Sequence, residues 1–226
     1  MGLLSKKDSA SDDDADFDFH LPTSDKALII FTRNPELGKC KTRLAATIGD
    51  EAALKVYKFL LNHTCEISKK TQCDRFVFYS ENILKNDIWD AEYFHKKLQK
   101  GTDLGERMNN AFETLFGMGY KKVCIIGSDL LDLQSGLINE AFDQLENNDA
   151  VIGLAKDGGY YLFAMDELLP KVFIDKKWGT DSVLSETLQD LQNYDVHLLK
   201  ELNDIDTFED MQHYPQLKQF YIPDND

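Results

Sequence analysis

Apolar residues in this chain fall into two patterns, unbroken short runs and stripes with a 3.6-residue period. The run Lys-Ala-Leu-Ile-Ile-Phe-Thr at Lys26–Thr32 and the run Val123, Cys124, Ile125, Ile126 predict strands buried on both faces. Residues 75–80, 149–154, 160–164 and 196–199 read as further strands, and 93–99 as a weaker one. Between them lie helical stripes. Asp50 is expected to cap a helix carrying Ala52, Ala53, Val56, Phe59, Leu60 and Ile67. Asp103 opens another, with Glu106 completing a capping box and Leu104, Met108, Ala111, Phe112 and Leu115 facing inward. A third carries Leu137, Ile138, Ala141, Phe142 and Leu145, a fourth spans about 181–192, and a short one follows the loop 203–210. Strand and helix signals alternate with helix-length crossovers. This predicts an α/β fold: a three-layer sandwich around a mostly parallel central sheet, without internal repeat.

At 226 residues the chain is long enough for one sizeable core. Residues 1–24 stand apart. Asp8, Asp12, Asp13, Asp14, Asp16 and Asp18 crowd this head, which predicts disorder or a weakly docked Phe17-x-Phe19. Residues 25–226 are expected to form a single domain.

A net charge of −15 argues against nucleic acid or an anionic membrane as partner. A phosphate-bearing ligand must then be held by local cations or a metal. The four cysteines show no C-x-x-C spacing and no secretory leader precedes them, so they read as reduced thiols in a cytoplasmic protein. No apolar run approaches the ~20 residues of a membrane span. The five histidines are scattered, which speaks against zinc and His-based triads.

Five features carry chemistry. The run 123–126 ends in Gly127-Ser128, and Asp129 follows at once. Ligands of open α/β sheets sit beyond the carboxyl ends of the strands, so a carboxylate there reaches a ligand without burying its charge. Asp129 therefore reads as a metal or ligand residue. The loop after the first strand holds Arg33, Gly38, Lys39, Lys41 and Arg43. Its alternating Lys39, Lys41 and Arg43 would share one face if extended, and strand, glycine turn and helix is how cations gather around phosphate. It is not a Walker A loop, because Arg33 and Cys40 stand where that motif needs Gly and Ser or Thr. The acidic set Asp129, Asp132, Asp204 and Asp206 offers oxygens suited to Mg²⁺ or Mn²⁺. For Asp206 a plain N-cap role competes. Finally, Asp157-Gly158-Gly159-Tyr160 and Trp178-Gly179-Thr180-Asp181 read as substrate-facing turns, or as a β-turn and a cap with a packed Trp.

In order along the chain stand Arg-x-Pro-x-x-Gly-x-x-Lys-Thr-Arg-Leu (33–44), Asp-Leu-Gly-Glu-Arg-Met (103–108) and Gly-Ser-Asp (127–129). Asp-Gly-Gly-Tyr-Tyr-Leu (157–162), Trp-x-Thr (178–180) and Asp-Ile-Asp-Thr-x-Glu-Asp (204–210) follow. Over about residues 26–212 the sequence resembles the glycosyltransferase-like family described as radical-SAM/selenodomain-associated transferases. That family is similar to the 2-phospho-lactate guanylyltransferases and, more distantly, to molybdenum-cofactor guanylyltransferases, within the GT-A fold of nucleotide-diphospho-sugar transferases. The resemblance implies a Rossmann-like sandwich with a nucleotide over the first strands and a divalent metal, Mg²⁺ or Mn²⁺, on the central acid. It assigns Arg33, Lys41 and Arg43 to the phosphate loop, Asp129 and Asp206 to the metal, and Asp157, Gly158 and Gly159 to an acceptor-side turn. One departure stands out. Many relatives carry a proline two residues after the motif's Asp, where this chain has Leu130-Leu131, so the aim of Asp132 is open.

The expected function is a metal-dependent transferase with a nucleotide donor and a small-molecule acceptor. Catalytic roles fall to Lys41, Asp129 and Asp157. Gly158, Gly159, Tyr160, Trp178 and Thr180 join Asp157 on the acceptor side. Nucleotidyl transfer from an NTP and glycosyl transfer from an NDP-sugar both fit. The alternative is a non-catalytic nucleotide- or partner-binding protein on the same fold. Oligomeric state is left open.

Overall fold

The computed structural model describes residues 21–221. The acidic head and its Phe17-x-Phe19 lie outside the described residues, apart from 21–24. There Thr23 donates to Asp74 from both its backbone N–H and its hydroxyl, and the Tyr120 hydroxyl donates to Asp74 at 2.7 Å. This fixes the chain's entry into the sheet.

Among the described residues, seven strands form one sheet: β1 (Lys26–Thr32), β2 (Asp74–Tyr79), β3 (His95–Leu98), β4 (Lys122–Ile126), β5 (Ala150–Ala155), β6 (Tyr160–Met165) and β7 (Val196–Leu202). Their spatial order is β3-β2-β1-β4-β6-β5-β7. Only β6 runs antiparallel, between β4 and β5, because the short Asp157-Gly158-Gly159 turn leaves no room for a crossover. The α/β sandwich with a mostly parallel sheet is as the sequence predicts.

Helices cover both faces. On one, α2 (Asp50–Ser68) and α4 (Ser135–Gln144) pack on Leu28, Ile30, Cys124 and Ile126. On the other, α3 (Leu104–Gly117) and α5 (Val183–Asp190) pack on Ala27, Ile29, Val123 and Ile125. Successive residues of β1 and β4 thus feed opposite cores, which is why these runs are apolar throughout. A third cluster lies beside the sandwich. There α1 (Thr42–Ile48), α2 and α6 (Phe208–Gln212) meet through Leu44, Val56, Leu60, Ile205, Met211 and Leu217.

Three local expectations change. Helix α1 was not anticipated, and Asp50 is the first residue of α2 rather than its cap. Gly49, at φ 84°, ends α1 and starts α2, so the two helices adjoin with no room for a capping side chain. The predicted capping box at Asp103 is shifted by one residue. Asp103 accepts from the Glu106 N–H at 2.8 Å, but the Glu106 carboxylate reaches the N–H and hydroxyl of Thr102.

Strand β1 sends the chain to β2 on one side and has β4 on the other. The crevice at the carboxyl ends of β1 and β4 is therefore the switch point where ligands of such sheets bind. Among the described residues, no helix is long and apolar enough to cross a membrane.

Candidate functional site

A cleft of about 1060 Å³ opens at this switch point. Its cationic wall is the segment between β1 and α1. Buried Asn34 ties that segment to the end of β2, donating to Asn82 O at 2.8 Å and accepting from the Glu81 N–H at 3.1 Å. Tyr57 of α2 holds the Arg33 backbone, accepting from its N–H at 2.9 Å and donating to its carbonyl at 3.2 Å. Burial pushes the Tyr57 hydroxyl's pKa up, so it stays protonated in this bridge.

Lys39, Lys41 and Arg43 do not share an extended face. Gly38, at φ 73°, and a bond from the Lys39 N–H to Glu36 O turn the chain, and α1 begins at Thr42. The three cations therefore diverge. Lys39 pairs with Glu36 at 2.6 Å and lies 3.9 Å from Glu81. Lys41 carries its side chain inward, 5% exposed, to meet Asp129 at 2.8 Å and Asp206 at 3.7 Å. Arg43 reaches the other Asp206 oxygen at 2.9 Å. Lys41 does this from a left-handed backbone, φ 50° and ψ 48°, which L-residues seldom adopt and which a functional position commonly explains.

Asp129 is positioned from both sides. Its carbonyl accepts from the Ile205 N–H at 3.2 Å. The two leucines that replace the expected proline turn are buried in separate clusters, Leu130 against the α2/α4 core and Leu131 between α1, α2 and α6. The same turn sends Asp132 away from the cleft, where it accepts from the Tyr214 hydroxyl at 2.6 Å. Asp206 is not an N-cap. Thr207 caps α6 in a reciprocal box with Asp210, leaving the Asp206 carboxylate to Arg43 and Lys41. Asp204 also lines the cleft. Burial, then the charges of Asp129 and Asp157, push its carboxyl up to about 6. Burial alone would lower the Lys41 ammonium's pKa. Asp129, Asp206 and Asp204 outweigh that and raise it.

Of the segments expected to face an acceptor, Asp157 and Gly179 line the cleft. The Asp157 carboxylate accepts from the Gly159 N–H at 2.9 Å. Gly158, at φ 86°, lies so close to the 178–182 segment that a Cβ would fall 2.5 Å from the Asp181 backbone. Tyr160 and Trp178 pack edge to face at 6.4 Å, and Trp178 lies against Gly105. The Thr180 hydroxyl donates to Lys177 O at 2.8 Å. Gly158, Gly159, Tyr160, Trp178 and Thr180 thus shape the wall from behind, and only Asp157 of the expected set faces the space.

Arg107 also lines the cleft, with no role foreseen from the sequence. Its Nε donates to Gly101 O at 3.0 Å, and among the described residues it makes no ion pair. The signal was its position: the first turns of α3, fixed by Asp103 and Glu106, point it at the strand ends.

Asp129 and Asp206 fit a hard divalent cation. Both reach a single cationic atom, the Lys41 ammonium, so they converge on one small volume at the wall of the cleft. Among the described residues, no three Asp, Glu, His or Cys side chains gather at ligand spacing. Mg²⁺ typically takes one or two carboxylates and completes its shell with water and substrate phosphates.

Residues 63–180, slightly more than half of the chain, match the family described as "Uncharacterized protein conserved in bacteria (DUF2064)". No curated protein matches. A solved protein from Desulfovibrio desulfuricans G20, provisionally described as a nucleotide-diphospho-sugar transferase, is 31% identical with a TM-score of 0.79. The match covers 87% of this chain and 89% of that one. A cytidylyltransferase from Leptospira borgpetersenii serovar Hardjo-bovis shares the fold at 14% identity and TM-score 0.56, over 87% and 90% of the two chains. So does Rv0371c of Mycobacterium tuberculosis H37Rv, solved in complex with manganese, at 10% identity, TM-score 0.50 and coverage of 83% and 96%.

Proposed function

This chain belongs to the DUF2064 family, and we propose that it is a divalent-cation-dependent transferase taking a nucleotide donor in the cleft between β1 and β4. The observation that carries this reading is the convergence of Lys41, Asp129 and Asp206 at the switch point. Asp129 and Asp206 would hold Mg²⁺ or Mn²⁺, which when bound neutralises charge on the donor phosphates. The manganese complex of the fold relative accords with this.

Arg33, Lys39, Lys41, Arg43 and Arg107 line the space for those phosphates. These five cations stand beside six carboxylates, part of whose charge a metal on Asp129 and Asp206 would offset, and a triphosphate has several of them to engage; nucleotidyl transfer is the first reading. An acceptor oxygen attacks the α-phosphorus of an NTP, the bond to the bridging oxygen breaks, and pyrophosphate leaves. Lys41 and the arginines stabilise that leaving group. Asp157 faces the acceptor and orients its hydroxyl, while the Gly158-Gly159 turn and the Trp178-Gly179-Thr180 segment hold Asp157 in place. Positioning and charge do most of the work in such transfers, so no histidine or cysteine nucleophile is needed. Glycosyl transfer is the second reading, supported by the description of the Desulfovibrio relative.

Product analysis decides between them. NTPs with Mg²⁺ and a panel of small alcohols should release pyrophosphate, whereas the second reading requires NDP from sugar nucleotides. A melting temperature raised by nucleotide with no turnover of either donor class would contradict both and leave a binding protein.

A further inference from the structure

The Lys41 ammonium already occupies the place of a cation between the two carboxylates. We propose that Lys41 is the resident counter-ion of the Asp129–Asp206 pair, and that a divalent cation gains these carboxylates only as donor phosphates draw Lys41 away. The inference rests on the donor reading above and adds an order to it: the cation and the nucleotide enter as linked ligands, and Lys41 is the link.

The geometry carries the argument. Lys41 holds Asp129 Oδ2 at 2.8 Å and approaches Asp206 Oδ1 at 3.7 Å, while Arg43 takes Asp206 Oδ2 at 2.9 Å. Both oxygens of Asp206 and one of Asp129 are thereby committed. A divalent cation on those oxygens would stand beside a full ammonium charge, and like-charge repulsion weakens its binding. The ammonium is also withdrawn from solvent, with 5% of its side chain exposed against 58% for Lys39 and 73% for Arg43. To meet a phosphate, Lys41 must leave the carboxylates. Its position allows this. It sits just before α1 in a left-handed conformation, so rotation there swings the side chain while Leu44 stays seated in its core. A ligand that favours one arrangement shifts the equilibrium only by its differential affinity, and the linkage is reciprocal.

The test uses Mn²⁺ alone, read by the loss of the free-ion EPR signal, on the full chain without nucleotide. Wild type should bind Mn²⁺ weakly. Lys41→Met and Lys41→Gln should each bind at least about ten-fold more tightly, and adding Asp129→Asn to Lys41→Met should erase the gain. A Lys41 variant that folds only when Mn²⁺ is present supports the proposal, because the metal then replaces the ammonium. Lys41 variants that bind Mn²⁺ no better than wild type, or that stay unfolded with Mn²⁺, overturn it. The donor reading stands or falls separately, on product release by wild type.

Discussion

Lys41 and Asp129 are joined by a short ion pair whose lysine end is almost wholly buried. Asp129→Ala strands that ammonium, so stability should fall by about 2 kcal/mol in urea unfolding, below the usual cost of breaking a buried pair because Asp206 remains nearby and Asp129 is partly exposed. Arg107 is the opposite case. It pairs with no carboxylate among the described residues, so Arg107→Ala should leave urea unfolding nearly unchanged while weakening nucleotide binding by about ten-fold in calorimetric titration, the scale of one charge-assisted contact. Equal nucleotide affinity in the variant would remove Arg107 from the site. At this scale the sequence foretold position at the cleft for residues at or just beyond the end of a buried strand, as Arg33 and Asp129 are. It was uninformative about direction. Nothing in the alternation of Lys39, Lys41 and Arg43 reveals that only Lys41 turns inward, because that depends on one left-handed backbone position.

Among the elements, the turns behind the cleft carry the precision. Gly158 combines φ 86° with backbone contact to Asp181, so Gly158→Ala should cost more than about 2 kcal/mol and displace the 178–182 segment. Urea unfolding checks the first, and a change in Trp fluorescence at Trp178 the second. Leu131 anchors the turn after Asp129 in the cluster of α1, α2 and α6. Leu131→Ala should cost about 2–5 kcal/mol and lower the affinity for Mg²⁺-nucleotide, since Asp129 loses its anchor. If stability falls while affinity holds, the leucine is packing alone. Strands β1 and β4 were legible because both their faces are buried. Helix α1 was not, for it is seven residues long, buries only Leu44 and has no side-chain cap. Without the proline that many relatives carry, the sequence left the aim of Asp132 open. In the structure Leu130 and Leu131 are seated in two cores and Asp132 turns to the Tyr214 hydroxyl.

Across the whole molecule, an acidic chain brings five of its 25 lysines and arginines, together with six carboxylates, to one end of one sheet. The strand order places the end of β1 beside the end of β4, so two stretches 88 residues apart, bearing Lys41 and Asp129, face each other across one crevice. The alternation of strands and helices predicted that layering. The five-residue gap between the strands read at 149–154 and 160–164 allowed a β-turn, but it did not reveal that β6 pairs with β4 as well as β5. The most direct measurement of the central claim is the melting temperature of wild type and Asp129→Asn with an NTP, with Mg²⁺, and with both. For a site saturated about a hundred-fold above its dissociation constant, wild type should gain roughly 5 °C or more with both together and little with either alone. Asp129→Asn should lose that gain, as should wild type treated with chelator. A nucleotide shift that ignores Mg²⁺, or that survives in Asp129→Asn undiminished, would contradict the account.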